Sequence, residues 1–495
     1  MRFVGREPEL QTLEQFYDRK QAGFLVLYGR RRIGKTSLLS QWLREGRKPR
    51  VLFWTATTEG SAYLLREFSQ SLARFDPKFG AALGEEFTFR DWTAAFTYYA
   101  EIAENSEVPV VLIIDEFTHL VASHSSIVSA IQIEWDHRLS QIPNVRLLLT
   151  GSLIGMIEQD VLSIRAPLYG RASYILKLRP LHFGHLAALF PDWSAAERVA
   201  AYAICGGIPA YLDVFVQAGT FEAGLRAGLA PGSLMLTDPA LLLHDQLKDP
   251  YIYESVLASL GNGFHVWNDI AKMAGISEGS LGFYLKGLEG LDLVEKRDPI
   301  LSSPTGRKSR YFVKDPFLRF YYRFIQRFRT NIERNDLMPV IKAINTELRA
   351  FIGTYIFEEL CREWIFVPGV QESLGFTAEK IGAYWSQNRG QGVQLDVVAA
   401  NSHEKKLFIG EAKWGTDTIS RNILTDLIKR SQRMPQVEAG WEVQYGLFAR
   451  EDFTEATKHA ARELGVRLIP LKQLEADLIR AAKYRPMDAE FKIEF

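Results

Sequence analysis

Apolar positions follow two rhythms along this chain. Short continuous runs read as strands: Phe24-Leu25-Val26-Leu27-Tyr28, Val51-Leu52-Phe53-Trp54-Thr55, Val110-Val111-Leu112-Ile113-Ile114, Val145-Arg146-Leu147-Leu148-Leu149-Thr150 and Tyr174-Ile175-Leu176-Lys177-Leu178. Between them the apolar residues recur at helical spacing, as in Leu10, Leu13 and Phe16, or Leu38, Leu39, Trp42 and Leu43. A run without polar alternation is a strand covered on both faces. Strands alternating with helices predict a parallel sheet with helical crossovers.

Beyond Pro180 the rhythm changes. Residues up to about Pro250 are helical throughout. Ser194 and Glu197 stand at capping-box spacing, and Gly206-Gly207-Ile208-Pro209 stops one helix and starts another. In residues 251–315, Tyr253, Val256, Leu257 and Leu260 line one helix, a second covers Val266 to Met273, and Leu281, Tyr284, Leu285 and Leu288 line a third. Two strand-like segments follow, Leu293–Lys296 and Ser309–Val313, around a tip at Ser302–Lys308. That spacing predicts a winged helix. The third helix carries one basic residue, Lys286, a poor set for reading base edges. The tip offers Arg307, Lys308 and Arg310, and the next helix Arg323, Arg327 and Arg329, either as phosphate contacts or as a solvated face. Further on, Gln394–Ala400 and Lys406–Lys413 fold as a hairpin about Ser402-His403-Glu404-Lys405. The expected boundaries are 1–180, 181–250, 251–330 and 331–495.

Composition narrows the picture little. The chain has 495 residues, 47% apolar and 24% charged, enough to bury several cores. Net charge is zero, so any nucleic acid must be met by local patches rather than a global field. Cys205 and Cys361 are the two cysteines, which argues against a disulfide framework or a cysteine-rich zinc site. No apolar run approaches the ~18 residues of a membrane helix, and Met1–Glu7 lacks the apolar segment of a signal peptide. A soluble cytoplasmic protein without membrane attachment is the expectation.

The first chemistry lies after the first strand. Gly29, Arg30, Arg31, Arg32, Ile33, Gly34, Lys35, Thr36 and Ser37 spell G-x-x-x-x-G-K-[ST] between a strand and a helix, the context that gives this motif meaning. Its backbone N–H groups and the helix N-terminus cradle phosphate oxygens. Lys35 can reach the β- and γ-phosphates, and the Thr36 hydroxyl can ligate Mg2+. Asp115 and Glu116 end the third strand, where ligands of parallel sheets bind. There Asp115 can hold Mg2+ through water and Glu116 can polarise an attacking water, or the pair can cap the next helix. Thr150 and Ser152 follow another strand end, as γ-phosphate sensors or as caps. Arg165 and Arg171 can bring positive charge to phosphates, from this chain or a neighbouring subunit.

The second chemistry lies in the hairpin. Asp396 and Glu411 are equally far from its turn, so they face one another. Glu411 and Lys413, two apart, share a face. Oxygen ligands of this kind can hold a divalent metal, and the lysine can position water or steady a phosphate. Glu358, on the preceding helix, is a third carboxylate. A salt-bridged surface hairpin would show the same residues. Lys429, Arg430 and Arg433 further on face either a phosphate backbone or solvent.

Four segments, Phe3-Val4-Gly5-Arg6-Glu7, the phosphate loop, Ile114-Asp115-Glu116 and Gly206–Leu212, together resemble archaeal and bacterial P-loop ATPases related to the AAA+ and STAND classes. The resemblance implies ATP with Mg2+, an adenine-side role for Val4, Gly5 and Arg6, a helical lid carrying Pro209, and a core sheet ordered 5-1-4-3-2. The D-x(n)-E-x-K pattern of Asp396, Glu411 and Lys413, with Gly353–Glu358 before it, resembles the PD-(D/E)xK core of restriction-endonuclease-like nucleases; Gln432 is a weak match to a glutamine of some relatives. The fold expected is multidomain α/β: a P-loop ATPase core, a helical lid, a winged helix and a C-terminal α/β nuclease-like domain. The leading reading is an ATP-hydrolysing protein that acts on DNA or RNA. The alternative is an ATP-dependent switch whose C-terminal domain is non-catalytic and binds a protein partner. A homo-oligomer is expected if an arginine must come from a neighbour.

Overall fold

The computed structural model describes residues 2–45, 50–76, 87–244, 247, 249–302, 308–386, 392–415 and 418–483. They form two compact units, Arg6–Pro180 and Met1–Gly5 with Leu181–Phe495.

The first unit is built on five parallel strands: β1 (Gly23–Tyr28), β2 (Val51–Thr55), β3 (Val110–Asp115), β4 (Val145–Gly151) and β5 (Tyr174–Lys177). Their order is β2-β3-β4-β1-β5, the order implied by the resemblance. β1, β3 and β4 are buried at every position, because helices cover both faces; this is why their sequences lack alternation. Phe68 packs against Trp92 and Phe96, in the same core as Leu112 and Leu147. Arg146 interrupts β4 yet is 1% exposed. Its guanidinium donates to the carbonyls of Tyr17, Gln21 and Pro143 at 2.9, 3.1 and 2.7 Å, so it ties the turn before β1 to the turn before β4. Tyr28 pairs with Gly151 and Thr55 with Asp115. The carboxyl ends of β1, β3 and β4 therefore lie side by side, and the loops that follow them share one rim.

The second unit begins with helices. Ser194 and Glu197 form the expected capping box on helix Ala195–Cys205. Gly207 has φ +71°, and a Cβ there would stand 2.1 Å from the Leu181 carbonyl oxygen. The Leu181 N–H donates to the Gly207 carbonyl at 2.8 Å, so glycine lets two strands of backbone touch. Pro209 opens helix Pro209–Ala218, where its missing N–H costs nothing.

Three helices follow, Pro250–Gly261, Trp267–Ala274 and Glu278–Gly290, then an antiparallel pair, β6 (Val294–Arg297) and β7 (Arg310–Val313). Of the expected basic tip, Arg307 lies outside the described residues and Lys308 is exposed. Arg310 lies over the Trp385 ring at 4.7 Å. Ile300 donates its N–H to the Ala383 carbonyl at 3.0 Å and is buried among C-terminal residues. Arg323 and Arg327 both pair with Glu347, and Arg329 with Glu333. These arginines are paired inside the unit, as a solvated charged face.

The C-terminal part is a five-stranded mixed sheet: β8 (Lys380–Ser386), β9 (Val393–Asn401), β10 (Lys406–Lys413), β11 (Glu442–Ala449) and β12 (Arg467–Pro470), in the order β12-β11-β10-β9-β8. β8, β9 and β10 are antiparallel neighbours, and β10, β11 and β12 run parallel. The segments expected as separate domains, 181–250, 251–330 and 331–495, fall in one compact unit. Buried polar links are part of the reason. Arg198 makes a two-point ion pair with Glu475 on helix Leu471–Ala482, at 2.6 and 2.9 Å. On the same helix Asp477 accepts from the Trp364 indole at 2.7 Å, and the Tyr211 ring lies 4.1 Å from that of Phe317.

Candidate functional site

The rim of the first sheet gathers the residues of the phosphate loop. Gly29 has φ +154°, and a Cβ there would meet the Leu178 carbonyl at 2.5 Å, so this position needs glycine. The Lys35 ammonium is buried and donates to the carbonyls of Gly29 and Arg30, at 2.9 and 3.4 Å. Burial lowers its pKa, while Glu116 and Asp115 pull it back up. Thr36 is exposed, and its hydroxyl donates to Asp115 Oδ2 at 3.2 Å. The other Asp115 oxygen accepts from Thr150 Oγ1. Thr150 Oγ1 in turn accepts from the Glu116 N–H at 3.2 Å. Glu116 stands in the left-handed region, φ +52°, a strained setting for a non-glycine residue. Its carboxylate accepts from Ser152 Oγ at 2.6 Å. Ser37 and Arg32 are exposed, Arg31 half-buried, and Ile33 and Arg30 buried.

Arg6 is buried beneath this loop. It pairs with Glu9 at 3.0 Å and donates to the carbonyls of Ile33 and Arg179 at 3.2 and 2.8 Å. Its guanidinium thus braces the loop from behind. Val4 is half-buried and Gly5 (φ +65°) abuts His185, both in the second unit. Arg171 is engaged with Asp136 through two bonds of 2.7 and 2.6 Å, whereas Arg165 is exposed.

The second unit holds the other candidate centre. Pairing of β9 with β10 runs from Asn401–Lys406 to Val397–Gly410, and the next step of that register brings Asp396 alongside Glu411. Asp396 Oδ2 accepts from the Ala412 N–H at 3.1 Å. Asp396 and Glu411 are both buried. Glu411 Oε1 pairs with Lys413 at 2.6 Å and Oε2 with Arg430 at 2.9 Å. Burial and the neighbouring Glu411 charge push the Asp396 carboxyl up to about 6. Burial and Asp396 push Glu358 up to about 8, despite Arg362. Arg362 is buried; one nitrogen donates to the Asp396 carbonyl at 2.6 Å and lies 3.5 Å from Glu358.

Glu358 opens helix Glu358–Ile365 directly after a π-helical turn, Gly353–Phe357. The adjacent Glu359 takes the opposite direction and accepts from Arg297 and Arg319, at 2.5 and 2.9 Å. Burial would raise its carboxyl, but the two arginines outweigh it and hold it at about 2. Asp396 and Glu411 are thus brought together, with Glu358 near Asp396. Among the described residues, however, no three His, Cys, Asp or Glu side chains are grouped to hold a metal ion. Gln432 is exposed, and it is Arg430, two positions earlier, that reaches Glu411. Sequence reasoning left Arg430 open between solvent and phosphate and did not single out Arg362, although Arg362 follows Glu358 at the i, i+4 spacing of helical ion pairs.

Known proteins match both parts of the chain. The profile of an ATPase domain predominantly from Archaea matches residues 3–215. That of a group described as archaeal and bacterial proteins of unknown function matches residues 321–426. An uncharacterized protein of Methanocaldococcus jannaschii is 30% identical over 432 residues, covering 87% of this chain and 92% of that protein. An uncharacterized ATP-binding protein of the same organism is 46% identical over 41 residues, 8% of this chain and 70% of its own length. Among solved structures, the Walker-type ATPase of Pyrococcus abyssi is similar at 20% identity and TM-score 0.49, over 64% of this chain and 95% of its own.

Proposed function

This chain belongs to a family of P-loop ATPases found predominantly in Archaea, and from that premise we propose that it couples Mg2+-dependent ATP hydrolysis to a metal-dependent nuclease centre in its second unit. Lys35 binds the β- and γ-phosphates, and the N–H groups from Gly29 to Ser37 cradle them. Thr36 and Asp115 are already in hydrogen-bond contact and are the residues that would hold Mg2+, which neutralises phosphate charge when bound. Glu116 orients the attacking water once it leaves Ser152. Val4, Gly5 and Arg6 serve the adenine side, and the helices around Pro209 act as the lid. We read residues 251–315 as a winged helix that docks on the C-terminal sheet, with DNA or RNA met by the exposed basic residues beside the acids.

The observation that carries the nuclease half is the strand register that sets Asp396 beside Glu411, with Lys413 on the same face. Two buried carboxylates, one of them paired with a lysine, suit a hard divalent ion and a phosphodiester. The test is incubation of the purified protein with plasmid DNA and with RNA, in ATP and Mn2+. Cleavage that Asp396→Ala or Glu411→Ala abolishes supports the reading, and intact substrates throughout refute it.

A second reading is a switch that hydrolyses ATP and presents the C-terminal domain to a protein partner or to another copy. It is favoured by the engagement of both Glu411 oxygens with cations and by the lack of a three-acid cluster among the described residues. Under that reading ATP turnover survives and no cleavage occurs under any metal.

A further inference from the structure

Arg430 is out of place in a centre meant only to receive a metal. It comes from helix Arg421–Ser431 and donates from all three nitrogens: to Glu411 at 2.9 Å, to the Gln394 carbonyl at 2.5 Å and to Asp426 at 2.7 Å. Lys413 holds the second Glu411 oxygen. Arg362 serves Asp396 and Glu358, while Lys413 and Arg430 both serve Glu411. A divalent cation arriving at Glu411 meets an oxygen pair already neutralised and two positive charges at contact distance. Like charges at that spacing oppose it, so one cation must leave first.

The two bases on Glu411 differ from the third in freedom. Arg362 is 2% exposed, and one of its nitrogens lies against both the Asp396 carbonyl and Glu358. Arg430 retains 24% and Lys413 42% side-chain exposure. Arg433, in the turn just past the end of that helix, is exposed. A chain of phosphodiesters lying along this face offers Arg430 what Glu411 gives it now, an anionic oxygen for a charge-assisted hydrogen bond. The exchange conserves charge: the arginine trades a carboxylate for a phosphate, and the freed carboxylate becomes a metal ligand.

We propose that Arg430 is a latch on Glu411, released by the phosphodiester backbone of a bound nucleic acid, so that divalent metal and nucleic acid load together. Arg430 is then a positioning residue that acts through Glu411. The proposal rests on the nuclease reading of the Asp396–Glu411 pair.

The experiment measures Mn2+ binding to the full chain without ATP, by electron paramagnetic resonance of the free ion. The component of interest is the one that Asp396→Asn removes, which separates it from metal at the phosphate loop. Four samples are compared: the protein alone, with a nuclease-resistant phosphorothioate oligodeoxynucleotide, with its RNA counterpart, and Arg430→Gln alone. The latch predicts weak binding to the protein alone, at least tenfold tighter with the DNA or the RNA strand, and a similar gain in Arg430→Gln without any strand. The oligonucleotide arms need no variant, so they decide the matter even if Arg430→Gln folds poorly. Asp396-dependent binding that is equally tight with and without strands overturns the latch and leaves the nuclease reading standing. No Asp396-dependent binding in any sample overturns both.

Discussion

Lys35 and Glu116 are the residues on which the ATPase reading turns, and they make different predictions. Lys35→Ala removes the ammonium that now rests on the Gly29 carbonyl. ATP affinity should fall tenfold or more, a loss of ~1.4 kcal/mol or greater, read by titration calorimetry; unchanged affinity would disprove the phosphate-loop role. Glu116→Gln keeps the shape and loses the charge. Nucleotide binding should persist while turnover drops ~100-fold or more, measured by phosphate release. The raised carboxyls of the second unit add a pH prediction. Glu358 at about 8 and Asp396 at about 6 both titrate above their ordinary range. Between pH ~4.5 and 8 the folded chain therefore holds protons that the unfolded chain has released, and stability falls as pH rises through that window. Glu358→Gln should flatten the slope, gaining ~1–3 kcal/mol over wild type at pH 8.5 relative to pH 5.5 in urea melts. Parallel pH profiles for the two proteins would show that Glu358 is not held protonated.

At the scale of elements, legibility follows from how local each signal is. The strands β1, β3 and β4 are continuous apolar runs because both faces are covered, so composition alone marks them. The register of β9 on β10 is equally plain, since the turn at Ser402–Lys405 lies midway between Asp396 and Glu411. The positions of Glu358 and Glu359 are not. A π-helical turn just before them resets the helix face, and only the fold shows that one acid meets Asp396 and the other two arginines. Arg430 was hidden for a similar reason: a basic residue on an amphipathic helix looks alike whether it faces solvent or a buried acid across space. The Glu359 pairing can be tested directly. Glu359→Ala takes one of two carboxylates from the buried Arg297 and Arg319 and leaves them to Glu295, and should cost ~1–3 kcal/mol in denaturant melts. A loss under 1 kcal/mol would mean the clamp is not fixed in solution.

For the molecule as a whole, the division into Arg6–Pro180 and the remainder predicts that unfolding is not a single step. Calorimetry of the full chain should show two transitions. ADP with Mg2+ should raise only the one belonging to the phosphate-loop unit, by roughly 3 kcal/mol of linkage at a hundredfold excess over the dissociation constant. One two-state peak, with calorimetric and van't Hoff enthalpies equal, would contradict this. No helix among the described residues is long and apolar enough to cross a membrane.

The contact of Gly5 with His185 has a consequence for how the protein is made. Residues 2–5 belong to a unit whose other members come only after residue 180. During translation they emerge before the first sheet and have nothing to settle on until that sheet is complete. At ~5–20 residues per second the wait is on the order of ten to forty seconds. The second unit therefore cannot finish folding in the order in which it is synthesised. A stretch of chain already outside the ribosome waits for the rest of its unit to be made.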